Sequence, residues 1–304
     1  MQSNNPFPFA KAICYSGFRD GQSPGAGLFP TYDEVKSDLL LLQNDWKYLR
    51  LYDCDEHAET VLKVIEAENL DFKVMLGAYI VGEQNNPECP WNPPHLTEAE
   101  LAENAELNNN RIELLIEMTK THTSIVNAVS IGNEASVSWT DHMVPVERLL
   151  EMTLQVKKHL NQPVTFCENY VPWLDKLEPL VKELDFISIH TYPVWEYKSI
   201  NEALQYTQQN YQDVAVKYPD TPVLISEAGW ATQSNGRGID PSNVNEQLQK
   251  RYINELMDWT ESSEIITYVF EAFDENWKGS NDAQEPEKHW GLYRVDRSPK
   301  MVSQ

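Results

Sequence analysis

Short runs of apolar, β-branched residues alternate along the chain with longer amphipathic stretches. The runs cover residues 12–17, 48–53, 73–80, 126–134, 164–170, 185–193, 222–230 and 265–277. They recur roughly every 36 residues, the length of one strand, one helix and two loops. Continuous apolar runs of this kind suit parallel strands buried on both faces. The stretches between them carry apolar residues at helical spacing. Val35, Leu39, Leu42 and Trp46 mark a helix over 32–46, and Ile112, Leu115, Ile116 and Thr119 mark one over 107–121. Residues 146–160, 201–218 and 244–259 behave alike. The segment Thr97-Glu98-Ala99-Glu100 has the form of a capping box, a helix start.

Eight strand–helix units predict an α/β fold, a single-domain (β/α)8 TIM barrel. One catalytic domain is expected over residues 1–304, with the barrel core at about 10–300. A six-stranded doubly wound sheet would leave two strands over. It would also call for a glycine-rich first turn, and residues 17–21 carry no G-x-G-x-x-G.

The net charge of −23 excludes more than it assigns. So acidic a surface repels phosphate backbones, so nucleic acid is not an expected partner, and polyanionic sugars are disfavoured. Neutral ligands are untouched by that argument. No apolar run reaches 18 residues, so no membrane insertion is expected, and residues 1–8 lack the apolar core of a signal peptide.

In a barrel of this type the chemistry lies where strands end. The polar and aromatic residues at the expected ends are Tyr15; Arg50 and Asp53; Tyr79; Asn133 and Glu134; Glu168 and Tyr170; His190 and Tyr192; Glu227 and Trp230; and Glu271, Phe273, Glu275, Trp277 and Lys278. Carboxylates, amides and aromatics dominate. Aromatic faces suit the C–H faces of sugars, and amides and carboxylates suit hydroxyl groups. A neutral polysaccharide fits both this set and the acidic charge.

Glu134 ends strand four and Glu227 ends strand seven, on strands that face each other across the mouth. Glycoside cleavage needs two carboxyls, one protonated to serve the leaving oxygen and one ionised. The charge of the second raises the pKa of the first, so such a pair divides the roles by itself.

The segments Gly132-Asn133-Glu134, Ser226-Glu227-Ala228-Gly229-Trp230 and Phe270-Glu-Ala-Phe-Asp-Glu-Asn-Trp-Lys278 together resemble glycoside hydrolase family 17. Leu49-Arg50-Leu51-Tyr52-Asp53 and His289-Trp290-Gly291-Leu292 agree with it. The resemblance runs over nearly the whole chain. It implies a retaining, laminarin-type β-1,3-glucanase with Glu134 as general acid/base and Glu227 as nucleophile. It further implies that Asn133 holds the sugar 2-hydroxyl, that Tyr192 bonds the nucleophile, and that Glu271, Glu275 and Lys278 line the donor side. Plant members carry Gln where this chain has Trp277, which places it with the microbial branch.

Tyr15, Asp53 and Phe273 are further expected substrate contacts, and Trp91, Trp195, Trp230 and Trp277 are the expected sugar platforms. No cofactor and no metal is expected. The histidines lack partners at ligand spacing, and the calcium-loop-like stretch 274–285 has Lys278 where an oxygen is needed. Cys54 and Cys89 are the one pair whose loops could bring them within disulfide range. Cys14 and Cys167 are expected to be free and buried. The implied setting is secreted or periplasmic, with a cytoplasmic one as the alternative, and the implied state is monomeric. A glucanosyltransferase using the same two glutamates, and a non-catalytic glucan-binding barrel, are the alternatives.

Overall fold

The computed structural model describes residues 5–304, so the first four residues of the 1–8 stretch lie outside the described residues. Eight parallel strands close into a barrel in the order of the chain. They are β1 (Ala12–Cys14), β2 (Tyr48–Leu51), β3 (Lys73–Gly77), β4 (Val126–Asn133), β5 (Val164–Asn169), β6 (Ile187–Thr191), β7 (Val223–Ala228) and β8 (Thr267–Val269). Each lies inside its predicted run. Most runs continue past the strand at its C-terminal end, because the chain leaves the ladder there to form the mouth.

The α-helices are α1 (Tyr32–Leu42), α2 (Glu56–Ala67), α3 (Glu98–Thr121), α4 (Val146–His159), α5 (Tyr170–Leu174), α6 (Glu178–Val181), α7 (Ile200–Lys217) and α8 (Glu246–Ser262). Most of their starts follow side-chain capping; α4 and α6 have no side-chain cap. Thr31 with Glu34, Thr97 with Glu100 and Ser199 with Glu202 form reciprocal capping boxes, and Asp55 and Asn245 cap α2 and α8. α3 begins at the Thr97 cap rather than near Leu107. α1 stops at Leu42, which leaves Trp46 in the following turn.

A single apolar core runs through the barrel and out to the helices, from Ile13 and Leu49 through Ile131, Ile189 and Ile225 to Leu256. No described helix is long and apolar enough to cross a membrane.

Candidate active site

The strands that carry the predicted glutamates break register just before them. β4 and β5 slip between Ser130 and Asn133, β6 and β7 between Ile189 and His190, and β7 and β8 between Ile225 and Ala228. Such irregularities re-aim side chains at a barrel rim. Glu134 itself takes a left-handed backbone, φ 45°, with its N–H donating to the Cys167 carbonyl at 2.9 Å. A non-glycine residue there costs of order 1 kcal/mol or more, held by its surroundings.

Glu227 is buried in a ring of donors. The guanidinium of Arg50, itself buried, and the Tyr52 hydroxyl (3.0 Å) donate to Oε1. The Tyr192 hydroxyl donates to Oε2. Burial alone would push the Glu227 carboxyl up. The His190 and Arg50 charges, with the hydroxyl bond, outweigh it and hold the group down at about 2. Glu227 is therefore ionised at every ordinary pH. Arg50 also donates to Asn133 Oδ1, at 2.5 Å, which fixes that amide beside the pair. His142 Nε2 lies 2.9 Å from the Asn133 carbonyl and stacks on Tyr79.

Glu134 is only partly buried and opens toward solvent. His190, wholly buried, places Nδ1 2.8 Å from Glu134 Oε1 and 3.5 Å from Glu227 Oε2. Burial opposes charge on this imidazole, but the Glu227 carboxylate, Cys167 and Glu134 raise it to about 10. Behind Glu134 lies Glu168, fully buried and in no salt bridge among the described residues. Its carboxylate accepts from the Ser136 N–H and hydroxyl, both 2.8 Å, and from the Asn169 N–H at 2.7 Å. Burial, with the charge of Glu134, pushes it up to about 7.

The segment after β8 builds one wall. Lys278 Nζ sits between Glu271, at 2.9 Å, and Glu275. The Ser16 hydroxyl and the Trp277 indole N–H (2.8 Å) also donate to Glu275. Burial holds the Glu271 carboxyl well above its usual range despite Lys278, whereas Lys278 and the other donors overcome burial at Glu275 and keep it below. One lysine thus faces one carboxyl pushed up and one held down. Trp277 is 38% exposed and meets Phe18 edge to face, with ring centroids 5.8 Å apart.

Other expected contacts do not reach this space. Tyr15 is buried and donates to Asp38 of α1 at 3.1 Å, so its hydroxyl points away from the mouth. Phe273 is buried beneath the Arg297 guanidinium, 4.1 Å from the ring centroid. Trp230 is fully buried against Tyr252, its N–H donating to the Asn243 carbonyl, so it has no face to offer a sugar. Asp53 is spent on the turn after β3, accepting from the Tyr79 N–H and pairing with Arg111 at 3.1 Å. Trp195 leans on Trp290 and is covered on one side by Gly238. All four cysteines are free and buried; Cys54 and Cys89 do not pair, their thiols donating to the carbonyls of Arg111 and Trp139.

Four residues of the site were not among the expected contacts. Arg50 and His190 stood among the strand-end residues and Tyr52 in the strand-two segment. Glu287, in the loop before Trp290, is pushed up by burial and lies within the electrostatic reach of Lys278, Glu134 and Arg237. Its signal was a carboxylate two residues before the His289-Trp290-Gly291-Leu292 segment.

Glu134, His190 and Glu227 each place a donor atom within 4.8 Å of the others, a spacing a metal could use. The surroundings argue otherwise. Both Glu227 oxygens already accept hydrogen bonds, and Arg50 and a charged His190 would repel a cation. The set suits charge-assisted hydrogen bonding around an ionised carboxylate.

Several known proteins share this fold. A solved endo-laminarinase from Formosa superposes with TM-score 0.81 at 25% identity, over 96% of this chain and 85% of that one. A Rhizomucor miehei β-1,3-glucanosyltransferase superposes with TM-score 0.75 at 21% identity, over 96% of both chains, a likeness of fold alone. A glucan 1,3-beta-glucosidase of Arthroderma benhamiae is 28% identical over 130 residues, 38% of this chain and 41% of that protein. One of Schizosaccharomyces pombe is 22% identical over 257 residues, 76% of this chain and 79% of that protein. The chain thus spans about two fifths of the Arthroderma relative in that match. The model of the BtgE/BtgC glycoside hydrolase domain matches residues 12–291, from the first strand past the Lys278 wall, and the chain belongs to that family.

Proposed function

We propose that the protein is a retaining glycosidase of β-1,3-glucan, with Glu227 as nucleophile and Glu134 as general acid/base. The observation that carries this is the placement of one carboxylate oxygen of Glu134 and one of Glu227 within 4.8 Å at the barrel mouth. Retaining enzymes hold their two carboxyls about 5–5.5 Å apart, whereas inverting ones leave about 6.5–9.5 Å for a water. The environments divide the roles. Glu227 is buried, ionised and clamped, as an attacking carboxylate should be. Glu134 is the partly open one, able to exchange protons with the leaving oxygen and then with water.

In the first step Glu227 Oε attacks the anomeric carbon while Glu134 gives its proton to the glycosidic oxygen. In the second, water attacks the glycosyl-enzyme and returns a proton to Glu134. Asn133, fixed by Arg50, presents its amide N–H to the sugar 2-hydroxyl. Glu271, Glu275, Lys278 and Trp277 support the donor sugar by hydroxyl contacts and an indole face. The β-1,3 linkage is favoured by the Formosa endo-laminarinase likeness and the glucan 1,3-beta-glucosidase relatives. The whole chain acts as one catalytic unit and as a monomer, on glucan outside the cytoplasm.

Incubation with laminarin tests this. New reducing ends, absent in Glu227→Ala, are expected. Products larger than the substrate would instead give the glucosyl-enzyme to a sugar hydroxyl, and no products would remove the catalytic reading.

A further inference from the structure

β3 and β7 are four strands apart in a closed eight-stranded barrel and so lie on opposite sides of the mouth. The loops that follow them nevertheless touch. The Arg237 guanidinium, from the loop after β7, lies over the ring of Trp91, from the loop after β3, at 4.8 Å from its centroid. A cation–π contact of two exposed side chains is weak, about 0.5–1 kcal/mol. The loops that present it are held much more firmly.

On one side, Asn86 Nδ2 donates to the Ser138 and Thr140 carbonyls, both at 2.8 Å, and Cys89 Sγ to the Trp139 carbonyl at 3.3 Å. This seats the Trp91 loop on the segment that directly follows Glu134. On the other side, Arg237 donates to both oxygens of buried Glu285 at 3.1 Å, and Asn235 donates to Asp282 at 3.0 Å. Gly238, φ 73°, lies flat on Trp195, where an added Cβ would stand 2.5 Å from the indole. The Arg237 loop is thereby pinned to the segments after β6 and β8. A bar anchored at both ends runs from the Glu134 side of the mouth to the Glu227 side.

The donor-side groups proposed above follow β8 and β1, so a glucan spanning Glu134 and Glu227 runs from that flank toward β5 and β6. It must cross the line of the bar. Resting on the function proposed above, we propose that the Trp91–Arg237 bridge makes the enzyme take its β-glucan by a chain end threaded beneath the bar, and excludes sideways docking of a chain's interior.

The test compares viscosity loss with reducing ends released, on a long soluble linear β-1,3-glucan. Wild type, Trp91→Ala and Arg237→Ala are measured, with Arg237→Lys retaining a cation over the ring and opposite Glu285. Wild type is expected to release ends with little loss of viscosity. Trp91→Ala, which leaves the Arg237–Glu285 pair in place, and Arg237→Ala should each raise the viscosity loss per bond cleaved by about tenfold, and Arg237→Lys should stay near wild type. A steep early viscosity drop in wild type, unchanged in the variants, overturns the bridge while leaving the glucanase function standing. Failure of wild type to cleave the linear glucan or its short oligosaccharides overturns the function and this proposal with it.

Discussion

His190 Nδ1 stands 2.8 Å from Glu134 Oε1 and 3.5 Å from Glu227 Oε2, so one buried imidazole touches both strand-end glutamates. Its charge persists to about pH 10 and is part of what holds Glu227 near 2. Removing it by His190→Gln leaves Glu227 with Arg50 and the tyrosines against the same burial. The acidic limb of kcat/KM should then move upward by a pH unit or more, because Glu227 must be ionised to attack. A limb that stays in place while kcat merely falls would assign His190 to packing.

Glu227→Ala should lower turnover by about 10^4-fold or more. A small anion fits the space of the lost carboxylate and attacks from the same face. Azide should therefore restore part of the rate and yield an α-glycosyl azide. A β-glycosyl azide from this variant would exchange the roles of the two glutamates.

The barrel was legible because parallel strands buried on both faces are written as continuous apolar runs, and none of the eight was missed. Strand ends were less legible, because the last residues of each run turn into the mouth or out toward a helix. Tyr15 shows why: its hydroxyl is taken by Asp38, and nothing in residues 12–17 announces that partner. Trp230 fails likewise, since its indole turns outward onto Tyr252 of α8. The first turns of α3 bury almost nothing, so periodicity missed them where the Thr97–Glu100 box did not. α2 had its signal in Ala58, Val61, Leu62 and Ile65 behind the Asp55 cap. The two strand-end glutamates and the similarity to family 17 were readable because Glu134 and Glu227 lie in contiguous segments. The Arg50 and His190 that tune them act across the barrel, 177 and 56 residues from the glutamates they bond.

Trp277 and Trp290 should separate binding from stability. Trp277 is 38% exposed beside Glu275 and Lys278, and Trp290 is 1% exposed against Tyr192 and Phe270. An indole face against a glucose ring is worth about 1–3 kcal/mol. Trp277→Ala should weaken oligosaccharide affinity about tenfold to a hundredfold with little change in Tm. Trp290→Ala should cost about 3–5 kcal/mol of stability, since it opens a cavity behind Tyr192. Calorimetry and a melting curve on each variant decide; a large Tm loss in Trp277→Ala would make that residue structural.

Glu168 gives stability a pH dependence whose sign can be worked out. Its carboxyl is raised in the folded state to about 7, from 4.5, by burial and the charge of Glu134. A raised group binds its proton more tightly folded than unfolded, so its contribution is complete below pH 4.5 and is lost as pH rises through 7. The difference amounts to about 3 kcal/mol across that interval. Glu227 works in the opposite sense, since its carboxyl is depressed to about 2, and its contribution falls away only below pH 4.5. The net charge of −23 also repels itself more as the remaining carboxyls ionise. Stability should therefore peak near pH 4.5–5 and decline toward pH 8. Glu168→Gln removes the titration, although its amide cannot accept from both Ser136 and Asn169 as the carboxylate does, so the variant starts lower. Its denaturation midpoint should nonetheless change less between pH 5 and 8 than that of the wild type. If the two slopes are equal, Glu168 is ionised throughout and the Ser136 and Asn169 donors, not a proton, keep it in the barrel.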